Sequence, residues 1–163
     1  MSCGSIRDTA SLLMRNFNKN MHHIRLFLSC SWPAIGGYPT LPQWLFVDPV
    51  RLGSESVHLS DLSDRRPEIR SDSGIETPWP QQAERLKLAD LLLVPLFCPE
   101  RLIERVHQEL DLAVHCRTPV LAVRREPEDG FVPIGTDRAD TVCDWGRDTI
   151  LTALGTLWRG SRG

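Results

Sequence analysis

The sequence lacks the marks of several function classes. No apolar run approaches the roughly 20 residues that a membrane span needs. The first residues have no continuous apolar core followed by a cleavage site, so no secretory signal is expected. Five cysteines (Cys3, Cys30, Cys98, Cys116 and Cys143) form no CxxC pair and no zinc spacing. An odd, scattered set fits reduced thiols in the cytoplasm better than a disulfide framework. Neither GxGxxG nor a Walker loop occurs, which argues against a classical dehydrogenase and a P-loop NTPase. No charge of one sign dominates. Lys and Arg number 19 and Asp and Glu 21, a net charge of −2. A near-zero balance creates no global field for nucleic acid or an anionic membrane. His107 and His115 lack metal spacing, and no metal is expected.

What is present points to one α/β domain, as the 163-residue length allows. The segment from Ala89 to Arg125 carries the organisation. Leu91-Leu92-Leu93-Val94-Pro95-Leu96 is continuously apolar, and Thr118-Pro119-Val120-Leu121-Ala122-Val123 repeats the pattern. Such runs suit strands covered on both faces of a parallel sheet. Between them, 100° steps put Leu102, Ile103, Val106, Leu110, Ala113 and Val114 on one arc facing the sheet. Glu104, Gln108 and Asp111 fall opposite. Strand, helix and strand form a right-handed crossover.

Further strands are expected at Ile24–Ser29, at Ser56–Ser60 as a short edge, and at Asp140–Trp145. Helices are expected near Thr40–Leu45, Gln81–Ala89 and Asp148–Trp158, with 48–55 and 124–130 as loops. Residues 1–22 read as an extension, or as sequence upstream of a start at Met21, with a short amphipathic stretch at Ser11–Phe17. Residues 23–158 form the domain and 159–163 a tail. Asp61–Thr77, rich in Ser, Asp and Arg, is the longest irregular stretch. The expected fold is a doubly wound, mainly parallel five-stranded sheet of the flavodoxin-like kind. Ligands bind such sheets beyond the carboxyl ends of the strands, near the switch in strand order.

Glu109 is the most informative residue. It follows Val106 at i+3 and precedes Ala113 at i+4, so it sits at the edge of the apolar arc, partly desolvated. Either it is a boundary acid paired with Arg105 at i−4, or its environment is tuned for chemistry. Ser29 and Ser31, ending the first strand, can hydrogen-bond a ribose or phosphate, or cap the turn. Trp32 can stack on a nucleobase or pack the first helix. Asp61 can hold ribose hydroxyls or be a plain loop acid. Cys30 joins this turn as a nucleophile or an inert buried thiol.

Taken in order, several segments resemble the TIR-like single-domain family, which includes the TIR proteins of the bacterial Thoeris anti-phage system. They are Ile24–Trp32, Ser56–Pro67, Ala89-Asp90-Leu91-Leu92-Leu93-Val94, Glu109-Leu110-Asp111-Leu112-Ala113, Thr118–Val123 and Ala139-Asp140-Thr141-Val142. Nucleoside deoxyribosyltransferases show a related arrangement. The resemblance implies that NAD is a substrate and not a bound cofactor. It implies that Glu109 supports cleavage of the nicotinamide–ribose bond. Ser29, Cys30, Ser31, Trp32, Asp61 and Arg105 are the candidates for contacting the substrate, Arg105 either by binding a phosphate or instead by pairing with Glu109. A carboxylate stabilises the oxocarbenium-like ribose left by nicotinamide. Capture by an adenine nitrogen gives a cyclic ADP-ribose isomer, and capture by water gives ADP-ribose. Self-association, a phage trigger protein and an effector reached through the nucleotide signal are further implications. The alternatives are a non-catalytic TIR-like interaction module and a nucleoside-processing transferase. The chain departs from the family pattern in having Arg105 where an aromatic is frequent and Cys30 where a histidine is frequent. It also has the long loop after Asp61.

Overall fold

The computed structural model describes residues 21–46, 49–63 and 78–162. The expectations for residues 1–20 and 64–77 lie outside this set. The elements in chain order are β1 (His22–Leu28), α1 (Thr40–Phe46), β2 (Val50–Leu52), β3 (Glu55–Asp61), α2 (Trp79–Lys87), β4 (Leu91–Pro95) and β5 (Phe97–Pro99). Then come α3 (Ile103–His115), β6 (Val120–Arg124), β7 (Phe131–Pro133), β8 (Thr141–Asp144) and α4 (Arg147–Arg162). Short 3-10 turns stand at Trp32–Ala34 and Glu100–Leu102.

One six-stranded sheet has the order β2-β3-β1-β4-β6-β8. Every pairing in it is parallel except that of β2 with β3. The five parallel strands, numbered among themselves, run 2-1-3-4-5, the order of flavodoxin-like sheets. The order therefore reverses between β1 and β4.

The continuous apolar runs do what both-face burial requires. All five residues of β4 are buried. Its alternate side chains feed two cores. Leu91 and Leu93 join Ile24, Leu26, Leu28, Leu41, Ile150 and Leu154 beneath α1 and α4. Leu92 and Val94 join Phe27, Leu86, Val106, Leu110 and Ala113 beneath α2 and α3. Each such side chain contributes roughly 1.5–3 kcal/mol of burial free energy.

Several expectations need correction. The sheet has six strands, because Val50–Leu52, in the stretch read as a loop, adds an antiparallel edge. Three residues are too few for their alternation to stand out, although Val50 and Leu52 are buried and Arg51 is exposed. β3 is consequently not an edge. A separate two-stranded antiparallel sheet pairs β5 with β7. Val114 does not face the sheet and is 54% exposed. At the chain's ends, His22 already belongs to β1, and α4 continues to Arg162 through the residues read as a tail.

Candidate active site around Glu109

The site forms where the strand order reverses. β1 ends at Leu28, and the Ser29 N–H extends its pairing by donating to Leu93 O of β4 at 3.0 Å. The chain then leaves the sheet through Cys30 and Ser31 into the turn at Trp32–Ala34. Pro33 suits that turn's start, where its missing N–H costs nothing.

The α3 helix brings Glu109 to this turn. Val106, Leu110 and Ala113 anchor it on the sheet, and Glu109 lies among them. The expectation of a partly desolvated edge residue understates its burial. Glu109 is 1% exposed. Its Oε1 accepts from the Ser29 hydroxyl at 2.6 Å, and its Oε2 accepts from the Cys30 N–H at 3.0 Å. The Ser29 and Ser31 hydroxyl oxygens lie 3.0 Å apart. Side chain and backbone of the β1 turn thus clamp the carboxyl.

Burial pushes the Glu109 carboxyl up to about 7. The Ser29 hydroxyl, the Cys30 N–H and the charge of Arg105 pull it back toward the ordinary range without restoring it. Burial, and then the Glu109 charge, push the Cys30 thiol well above its usual value. The same two causes take Cys98 to about 11. Neither cysteine supplies a thiolate at neutral pH, so Cys30 is an inert thiol here and not a nucleophile.

The other candidates divide. Ser29, Cys30 and Ser31 are gathered on Glu109. Arg105 acts on the carboxyl through its charge, and its guanidinium lies over the Trp79 ring, 5.3 Å from the centroid. Trp32 belongs to the core. It is fully buried, its indole N–H donates to Leu93 O at 2.9 Å, and its ring packs on Trp145. A ring enclosed in this way presents no face for a ligand to stack on. Asp61 ends β3 and accepts from the Ser63 N–H at 2.9 Å and from the Ser63 hydroxyl, stabilising its own turn. It is not a partner of Glu109.

Sequence reasoning missed Trp79. Trp79 follows an irregular stretch and reads as a lead-in to a helix. Cys98 sits in a three-residue strand beyond β4. Only the fold brings Trp79 against Arg105 and Cys98 within reach of the Glu109 charge. A cavity of about 340 Å³ opens elsewhere, at the amino end of β6, lined by Arg117, Thr118, Pro119, Asp137, Arg138 and Asp140 among others.

A buried carboxyl with a near-neutral pKa can hold a proton or stabilise a cation formed against it. Each of its oxygens accepts one protein hydrogen bond, which leaves further acceptor capacity on the carboxylate.

No protein family matches the chain, and no curated protein matches it. Four chains of solved structures do. One is the crystal structure of a mutation variant of SsGBP, 14% identical with a TM-score of 0.49. The match covers 96% of this chain and 62% of that one, so this chain spans less than two thirds of its length.

Proposed function

We propose that the protein is a TIR-like enzyme that breaks the nicotinamide–ribose bond of NAD, with Glu109 as the catalytic carboxylate. The product is ADP-ribose or a cyclic isomer serving as a signal in anti-phage defence. One observation carries the reading. A fully buried carboxyl with a pKa near 7 sits at the strand-order switch, against the turn that ends β1. This is where open α/β sheets bind ligands.

In the proposed step the C–N bond breaks with its electron pair leaving on nicotinamide. The ribose becomes an oxocarbenium ion, and ionised Glu109 stabilises it at short range in a dry pocket. Water or an adenine nitrogen then bonds to that carbon. When water attacks, Glu109 takes up the proton that water loses. Arg105 suits the pyrophosphate, since its guanidinium can bind phosphate oxygens bidentately.

A second reading has its own support. Because both carboxyl oxygens are satisfied within the fold, Glu109 also serves as a structural clamp in a non-catalytic module.

The test is incubation of the protein with NAD and, separately, with nucleosides, followed by separation of the products. Nicotinamide release that Glu109→Gln abolishes while the fold persists supports the enzyme. Its rate should rise with pH through about 7, as the carboxyl ionises. Nicotinamide release unaffected by Glu109→Gln sinks the assignment of that residue. Base exchange on nucleosides with indifference to NAD identifies a transferase instead.

A further inference from the structure

We propose that His23 and His58 form a two-histidine site for a divalent transition-metal ion such as zinc, on the outer face of β1 and β3. These strands are parallel neighbours, and His23 stands directly beside His58 in their register. Ile24 and Leu26 of β1, like Val57 and Leu59 of β3, enter the core beneath α1 and α4. Strand alternation therefore turns both histidines to the opposite face. Both are exposed, so no described element covers them.

The two rings are 5.5 Å apart between centroids, at an interplanar angle of 66°. Zinc bonds imidazole nitrogen at about 2.0–2.1 Å, which places the centres of two rings sharing one ion roughly 5 Å apart. The pair therefore stands close to chelating separation before any metal arrives. Its strands are held by the sheet ladder on both sides of β1 and of β3, so little backbone ordering is left for binding to cost.

The surroundings define the ion. Arg25 follows on the same face of β1, its guanidinium bound to Asp90 at 3.2 Å. Arg51 is exposed on β2. No group of three or more His, Cys, Asp or Glu suited to a metal occurs among the described residues. The protein thus supplies two imidazoles, and water fills the remaining positions. Imidazole without carboxylate selects zinc, copper or nickel over magnesium and calcium. His23 and Ser29 are six residues apart along an extended chain, roughly 20 Å, so this site is separate from the Glu109 turn.

Zinc titration of the full chain, followed by calorimetry and by histidine resonances in NMR, tests the proposal. One equivalent should bind, with the His23 and His58 signals shifting together. His23→Asn and His58→Asn should each weaken binding by about tenfold or more, since one imidazole then remains. Absence of binding by the full chain overturns the site. Binding that survives the double substitution, or shifts confined to His22, His107 or His115, overturns it as well.

Discussion

Two carboxylates, Asp90 and Glu109, perform the same mechanical task at opposite ends of the sheet under opposite electrostatic conditions. Asp90 stands before β4 and ties it to β1. Its Oδ2 accepts from the Arg25 N–H at 2.7 Å, and the Arg25 guanidinium closes on the same carboxylate. Glu109 ties α3 to the turn after β1, again through a backbone N–H and one side-chain donor. Asp90 meets a cation in direct contact with a third of its side chain in solvent. Glu109 meets a neutral hydroxyl and almost no solvent, and Arg105 reaches it through its charge. Equal numbers of hydrogen-bonding groups do not substitute for a counter-charge or for water. The difference marks one acid as a fastener and the other as a group poised to change charge near neutral pH.

Truncation should separate them most. At pH 5, where Glu109 is protonated, Glu109→Ala leaves a buried cavity, strands the Cys30 N–H and leaves the Ser29 hydroxyl with Ser31 alone. The expected loss is about 4 kcal/mol in urea denaturation. Asp90→Ala should cost about 1 kcal/mol, because solvent takes over its exposed partners. Equal losses would break the comparison.

The pH dependence of stability comes next in size. Folding raises the Glu109 carboxyl from an ordinary value of 4.5 to about 7. The folded protein therefore holds a proton that the unfolded chain has released. The resulting stabilisation is complete below about pH 4.5 and disappears as pH rises through about 7. The span corresponds to roughly 3 kcal/mol. Glu109→Gln should flatten this part of the profile and melt above the parent at pH 8, since the amide has no charge to bury. A parent profile flat between pH 5 and 8 would refute the desolvated carboxyl.

Much of this contrast was legible before any coordinates. The apolar runs at 91–96 and 118–123 demand strands covered on both faces, and β4 is buried throughout, as is β6 from Val120 to Val123. The spacing of Val106, Glu109 and Ala113 places the acid on the sheet side of α3. Less visible was how far inside it lies. Periodicity fixes an angle around a helix axis and carries no information about which loop closes over that angle. The Ser29–Cys30 turn supplies the cover from 80 positions away. Trp32 was ambiguous for the same reason, since an aromatic after a strand packs or stacks according to its neighbours, and Trp145 lies far along the chain. Short elements escape too. The burial of Val50 and Leu52 becomes meaningful only once β3 offers an edge to pair with.

The smallest effects distinguish the two serines of the clamp. Ser29→Ala removes a donor to Glu109 Oε1, and that donor favours the ionised form. The cost should grow by about 1 kcal/mol above pH 7, once the carboxyl loses its proton. The midpoint of the stability profile should move upward with it. Ser31 is fully buried but bonds the Ser29 hydroxyl and not the carboxyl itself. When Glu109 is ionised, Ser29 donates to it and Ser31 donates to Ser29. When Glu109 is protonated it can donate to Ser29, and Ser29 can turn its hydrogen to Ser31. Ser31 has a role in both states, so Ser31→Ala should cost about 0.5–1 kcal/mol at either pH with the midpoint unmoved. A midpoint shift in Ser31→Ala as large as in Ser29→Ala would mean that the pair acts as one unit, with charge stabilisation shared along the hydroxyl chain.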